Sequence, residues 1–238
     1  IPNCTKNCVE EALLLADQDN AYSSIQNYLN SLTWDGEPRI DTWLIEYLDA
    51  EDCGYPEYLE TVGSCWLISA VARAFAPGCK ADHMLVLEGR QNLGKSEALR
   101  ILASDSWFSD SLPRDLSHKD AMQHLQGKWI CEMSELSQMK RSDVESMKSF
   151  VSRRVDKFRP PYHRNESEFP RQTVLAGTSN DDSYLIDVTG NRRYWCVQCA
   201  HIDLKRLKKD RDQLWAEATH AYKHGAQWHI TDTEVYGV

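Results

Sequence analysis

Met84-Leu85-Val86-Leu87-Glu88-Gly89-Arg90-Gln91-Asn92-Leu93-Gly94-Lys95-Ser96 is the stretch whose reading decides the fold. It opens as a short apolar run ending in an acid, the pattern of a buried strand. G-x-x-x-x-G-K-S follows over residues 89–96, and Glu97-Ala98-Leu99-Arg100-Ile101-Leu102 continues as the first turns of a helix. Strand, glycine loop and helix is the setting in which this spacing cradles phosphate. Gly89 and Gly94 permit the tight turn, so that the N–H groups of Arg90, Gln91, Asn92 and Leu93 point inward at phosphate oxygens. The helix beginning near Lys95, with Glu97 in its first turn, adds the positive end of its dipole. Lys95 is then placed to reach β- and γ-phosphates, and the Ser96 hydroxyl to ligate Mg²⁺. The stretch implies a nucleotide site.

Composition leaves room for that reading. The chain of 238 residues is 42% hydrophobic and 26% charged, which is ordinary for a globular protein with one large or two small domains. No run approaches the roughly 18 apolar residues of a membrane span, and no basic-then-apolar signal segment opens the chain. The chain starts Ile1-Pro2-Asn3 without an initiator Met, so it reads as a piece of a longer protein. Eight scattered cysteines in a chain this large suit a reduced, intracellular setting. Cys196-Val197-Gln198-Cys199 has C-x-x-C spacing without a second pair nearby, so apolar strand positions explain it as well as zinc does. The net charge of −9 is unevenly spread. Residues 1–80 hold 13 acidic and 4 basic residues and carry all of it, while the remaining 23 acids and 23 bases cancel. An acidic total therefore does not exclude a local basic groove in the second part.

Residues 9–32 place apolar side chains at helical spacing, with Ser23 and Ser24 as capping material. Trp34-Asp35-Gly36-Glu37-Pro38-Arg39 is a turn, after which Asp41 is expected to cap a short helix through Trp43, Leu44, Tyr47 and Leu48. A longer helix from Glu57 to about Ala76 ends at Pro77-Gly78. This first third, 1–80, reads as an all-helical domain ahead of an α/β core at 81–238. After the glycine loop, Trp107-Phe108-Ser109-Asp110 leads into a polar loop and a helix near 115–125. Gly127-Lys128-Trp129-Ile130-Cys131-Glu132-Met133-Ser134-Glu135-Leu136 is a β-prone run whose acids fall where a carboxylate is needed on the Mg²⁺ side of the phosphates. Glu132 is expected on the metal side, acting through water, and Glu135 or Glu132 itself polarises the attacking water; two solvated acids at a strand end are the plainer alternative.

Residues 138–152 read as a helix. The turn-rich segment that follows interleaves Lys157, Arg159, His163 and Arg164 with Phe158, Tyr162 and Phe169, which suits either a hairpin touching a nucleic-acid backbone or an ordinary solvated hairpin. Thr173-Val174-Leu175-Ala176-Gly177-Thr178-Ser179-Asn180 is another buried strand, whose Asn180 is either a turn residue or a partner of the attacking water. Gly190-Asn191-Arg192-Arg193-Tyr194-Trp195 brings two arginines into a further strand; one of them would clamp a transferring phosphoryl group or form a surface ion pair. Residues 212–223 read as an amphipathic helix ended by His224-Gly225.

Taken in order, these stretches resemble the virulence-associated E family of phage and mobile-element replication proteins, P-loop ATPases related to superfamily-three helicases and the AAA+ class. The resemblance runs from Leu32-Thr33-Trp34-Asp35-Gly36-Glu37-Pro38-Arg39 through the glycine loop and the Glu132 strand. It continues through Phe158-Arg159-Pro160-Pro161-Tyr162, Pro170-Arg171 and Gly177-Thr178-Ser179-Asn180 to the 190–195 stretch. It implies a P-loop core hydrolysing ATP with Mg²⁺ as a ring, hexameric by analogy, acting on DNA in the cytoplasm of a bacterial host. By the same resemblance Asn180 is the sensor asparagine, and Arg193 or its neighbour Arg192 is the finger reaching a neighbouring subunit's ATP. The segment 155–169 is the DNA hairpin, with His163 and Arg164 at its tip, and a primase domain is expected upstream. Two competing expectations are an ATP-gated assembly module acting on proteins and a small-molecule kinase.

Overall fold

The structure, a computed structural model, describes residues 23–51, 56–113, 115–134, 136, 141–160, 165–180 and 193–230. Helix α1 (Ser24–Ser31) begins where expected: the Ser23 hydroxyl accepts from the Gln26 amide at 3.2 Å, satisfying one of the unpaired N–H groups of the first turn. Expectations for residues before Ser23 lie outside the described residues. Helix α2 (Trp43–Leu48) is capped at Thr42 and not at Asp41, and without a side-chain cap. The Thr42 hydroxyl instead donates to Glu46 at 2.9 Å. Helix α3 (Pro56–Phe75) ends just before Pro77-Gly78, with Gly78 at φ +78°.

Five parallel strands make the central sheet: β1 (Met84–Glu88), β2 (Phe108–Ser109), β3 (Ile130–Met133), β6 (Val174–Ser179) and β7 (Tyr194–Gln198), in the order β2-β3-β6-β1-β7. Helix α4 (Lys95–Ala103) carries the chain from β1 to the far edge at β2. Helix α5 (Lys119–His124) leads to β3. Helix α6 (Arg141–Val151) and an antiparallel hairpin, β4 (Val155–Phe158) with β5 (Ser167–Pro170), precede β6. Strand β2 has only two residues, too few to show a periodicity, and the 107–110 stretch carries no strand expectation from sequence. The expectation of a last helix over 212–223 starts too late. Helix α7 runs Leu204–Lys223, and its N-cap Asp203 accepts from the amides of Lys205 and Arg206. The charged run at 205–212 hides an apolar stripe through Leu207, Leu214, Trp215 and Ala218, all buried.

Alternate residues of β1 face opposite ways, as strand geometry dictates. Leu85 and Leu87 join Ile130, Val174, Ala176, Trp195 and Val197 in one cluster with α1, α2, α3, α4 and α7. Met84 and Val86 join Cys131, Met133, Leu175 and Tyr194 in a second cluster with Ala121 of α5 and with Met147, Phe150 and Val151 of α6. Both faces are covered, which is why these parallel strands read as unbroken apolar runs. Residues on either side of position 80 share the first cluster. Trp66 of α3 donates its indole N–H to the Leu175 carbonyl at 3.2 Å, and Trp129 donates to the Ala70 carbonyl at 2.9 Å. Trp66 and Trp129 thus bury their rings and still satisfy their one polar atom.

Candidate phosphate-binding site

Between β1 and α4 the backbone takes positive φ three times, at Gly89 (+139°), Asn92 (+63°) and Gly94 (+98°). Reversals of this kind are what a backbone needs to turn successive amides toward one point, as anion-binding loops do. Gly89 has a second reason to lack a side chain. A Cβ there would lie 2.6 Å from the Cys199 carbonyl oxygen, where the chain leaving β7 crosses the loop. That crossing is held by the Cys199 amide, which donates to the Glu88 carbonyl at 2.9 Å, and by a bridge between Ala50 and Cys199.

Lys95 opens α4 and is buried. Its ammonium donates to the carbonyls of Gly89 (2.6 Å) and Arg90 (2.9 Å) and to Asn180 Oδ1 (3.1 Å). Burial holds its pKa below the ordinary lysine value, against the attraction of the Glu132 carboxylate. Asn180 reaches Lys95 because β6 lies directly beside β1, with Glu88 opposite Ser179. On the other side of β6 stands β3, with Glu132 opposite Ala176. Glu132 has no exposed surface. Its Oε1 accepts hydrogens from the Ser96 and Thr178 hydroxyls, each at 2.6 Å, while its Oε2 is buried without a partner among the described residues. A hydroxyl and a carboxylate with an orphaned, buried oxygen are hard oxygen donors of the kind Mg²⁺ takes. The residues present fit that ion.

Of the residues singled out from sequence, the structure therefore gathers Gly89, Arg90, Gly94, Lys95, Ser96, Glu132 and Asn180 around one loop. Gln91, Asn92 and Glu97 are exposed at its rim and Leu93 is half-buried. Glu97 lies 3.6 Å from the Arg100 guanidinium. Arg193 lies elsewhere. It stands just before Tyr194, which pairs with Met84 at the opposite end of β1, so about 15 Å of strand separates it from the loop. Its Nε donates to the Ser152 hydroxyl at 2.9 Å. The β4–β5 hairpin is also rooted at that far end, where the Arg171 amide donates to the Arg154 carbonyl and the Gly78 amide to the Arg171 carbonyl, each at 2.9 Å. Lys157 and Arg159 are exposed on it; Lys157 pairs with Glu168 at 3.3 Å, and Phe158 stacks on Phe169 with centroids 4.5 Å apart. Glu135, His163, Arg164 and Arg192 lie outside the described residues. Burial pushes the Cys199 thiol of the C-x-x-C pair up to about 12.

Thr178 and Gly177 went unnoticed in the sequence. Thr178 stands two residues before Asn180, a separation that puts both on one side of a strand, and this was a legible signal. Gly177 had none. A Cβ there would meet Leu136 Cδ1 at 2.6 Å, so its missing side chain is what lets Leu136 pack against β6.

Fold and site together define an α/β protein with a P-loop-type core. The virulence-associated protein E-like domain family matches residues 29–236, and this chain belongs to that family. No curated protein matches the sequence. Among solved structures, the A-form apo structure of the NrS-1 C-terminal region is similar with a TM-score of 0.57 at 14% identity over 80% of this chain and 48% of that one. A second apo structure of the same region gives 0.56 at 15% identity, again over 80% and 48%. At such identity the likeness is one of fold. The chain spans about half the length of these structures. No helix among the described residues is long and apolar enough to cross a membrane.

Proposed function

We propose that the chain is an ATP-hydrolysing motor module that works on DNA as part of a replication machine, assembled as a ring in which each ATP is completed by a neighbour. The observation that carries the reading is the convergence of Lys95, Ser96, Glu132 and Asn180 at the ends of three adjacent parallel strands. That end of an open parallel sheet is where ligands bind. The loop amides and Lys95 hold the β- and γ-phosphates; Lys95 exchanges its present carbonyl partners for phosphate oxygens. Ser96 and Glu132 would hold Mg²⁺, whose positive charge would offset the charge that develops on the γ-phosphoryl group. Asn180, with Glu135, orients the attacking water. Arg193 at the far end of the sheet is too distant to serve its own loop, which supports a role across a subunit boundary. The hairpin at that same end offers Lys157 and Arg159 to the DNA backbone, with His163 and Arg164 assigned to its tip by the family resemblance.

The test is ATPase rate against added single-stranded DNA, with mass in solution recorded with and without nucleotide. The proposal expects DNA-stimulated turnover and nucleotide-dependent assembly. Lys95→Ala should abolish turnover in a folded protein; normal turnover would sink the site assignment. Mixing Arg193→Ala with Lys95→Ala should restore some activity, and no rescue at any ratio counts against completion in trans. Robust ATPase indifferent to DNA and to charge reversal at Lys157 and Arg159 would favour an assembly module acting on proteins.

A further inference from the structure

The Glu132 carboxylate is held unevenly. Both of its hydrogen bonds, from Ser96 and Thr178, converge on Oε1, and Oε2 is left buried with none among the described residues. An unmatched carboxylate oxygen out of water is costly, so the arrangement makes sense where Oε2 meets a cation. The two hydroxyls are not equivalent. Ser96 opens onto the loop and is exposed, and its oxygen lone pairs remain available to the same cation while its hydrogen stays on Oε1. Thr178 is buried within the central strand β6, and its described side-chain partner is Glu132 alone. Its position is rigid: β-branching restricts χ1, and β6 is paired on both sides. The terminal torsion of a glutamate is soft and roughly two-fold. With the Ser96 bond alone, the carboxylate is free to turn about the residue that must also serve the ion.

We infer that Thr178 is a positioning residue: by occupying Oε1 from the strand side it turns Oε2 toward the cation that accompanies the nucleotide phosphates. The inference rests on the nucleotide reading above. It assigns Thr178 no contact with phosphate, so its effect should appear only when the metal is present.

The test compares Thr178→Val, which keeps the branched shape and removes the hydroxyl, with Thr178→Ser, which keeps the hydroxyl. Equilibrium binding of a fluorescent ADP is measured with Mg²⁺ and with EDTA, alongside thermal unfolding without nucleotide. Thr178→Val should bind ADP in EDTA like the parent but lose about tenfold of the tightening that Mg²⁺ confers, the scale of one hydrogen bond to a charged group. Thr178→Ser should recover most of it. Unchanged Mg²⁺ tightening in Thr178→Val overturns the inference. So does an equal loss with and without Mg²⁺, or a failure of Thr178→Ser to recover, since either assigns Thr178 to the integrity of the strand. If the parent chain binds no ADP under either condition, the nucleotide reading itself falls and the inference with it.

Discussion

Gly89→Ala isolates the demand that the crossing at Cys199 places on the loop. The backbone at residue 89 has φ +139°, a region costing a non-glycine residue about 1–3 kcal/mol. The new methyl would also sit 2.6 Å from the Cys199 carbonyl oxygen and 3.0 Å from Leu93 Cδ2. Leu93 has rotamers to try. The carbonyl does not, because the Cys199 amide bonds to Glu88 and the neighbouring bridge to Ala50 fixes the crossing. Overpacking of this kind adds about 1–3 kcal/mol. The expected total is about 4 kcal/mol, or roughly 8–16 °C in Tm for a chain of this size. Displacing residue 89 also shifts the start of the loop whose amides are proposed to hold phosphate, so ADP binding should weaken as well. Gly127→Ala separates strain from collision: its φ is +74° and nothing lies within 4 Å of its added Cβ. That variant should lose only about 1–2 kcal/mol. Thermal unfolding by circular dichroism and an ADP titration measure both quantities. A Gly89→Ala protein no less stable than Gly127→Ala, with parental ADP affinity, would refute the reasoning.

Two further outcomes concern the far end of the sheet. Asp156, at the hairpin base, has no exposed surface and takes a bidentate pair from Arg171, whose Nε donates at 2.9 Å. Removing it as Asp156→Ala leaves a buried guanidinium without its counter-charge and should cost about 3–5 kcal/mol in denaturant unfolding; a loss below about 1 kcal/mol, the scale of a surface pair, would contradict that account. His83 stacks on Trp195 with centroids 4.2 Å apart, and burial, outweighing the Asp82 carboxylate, pulls its pKa down from 6.5 to about 4. The unfolded chain then takes up the proton first, so His83 contributes no penalty above pH 6.5. As pH falls from 6.5 to about 4, stability drops by about 3 kcal/mol. His83→Phe keeps the stack and should flatten that limb in denaturant unfolding at pH 7 and 4.5; an unchanged pH slope would show that other groups produce it.

By itself the sequence determined the local parts. The glycine loop, the strand before it and the helix after it follow from residues 84–102, because phosphate binding imposes a fixed local spacing. Glu132 and Asn180 were recognisable as polar residues at the ends of apolar runs. The 155–169 hairpin was legible from its turn-rich composition. The order of the strands, however, was decided only in three dimensions. Placing β6 between β1 and β3 is a choice among crossovers that leave every apolar run equally buried, and it is this choice that sets Asn180 on Lys95 and Thr178 on Glu132. The carbonyl of Cys199 over Gly89 and the side chain of Leu136 over Gly177 belong to the same class of fact. They are contacts between segments far apart in the chain, and no periodicity records them. The far-end placement of Arg193, about 15 Å of strand from its own loop, likewise follows from the parallel register of β7 on β1 and from nothing within residues 190–195 alone.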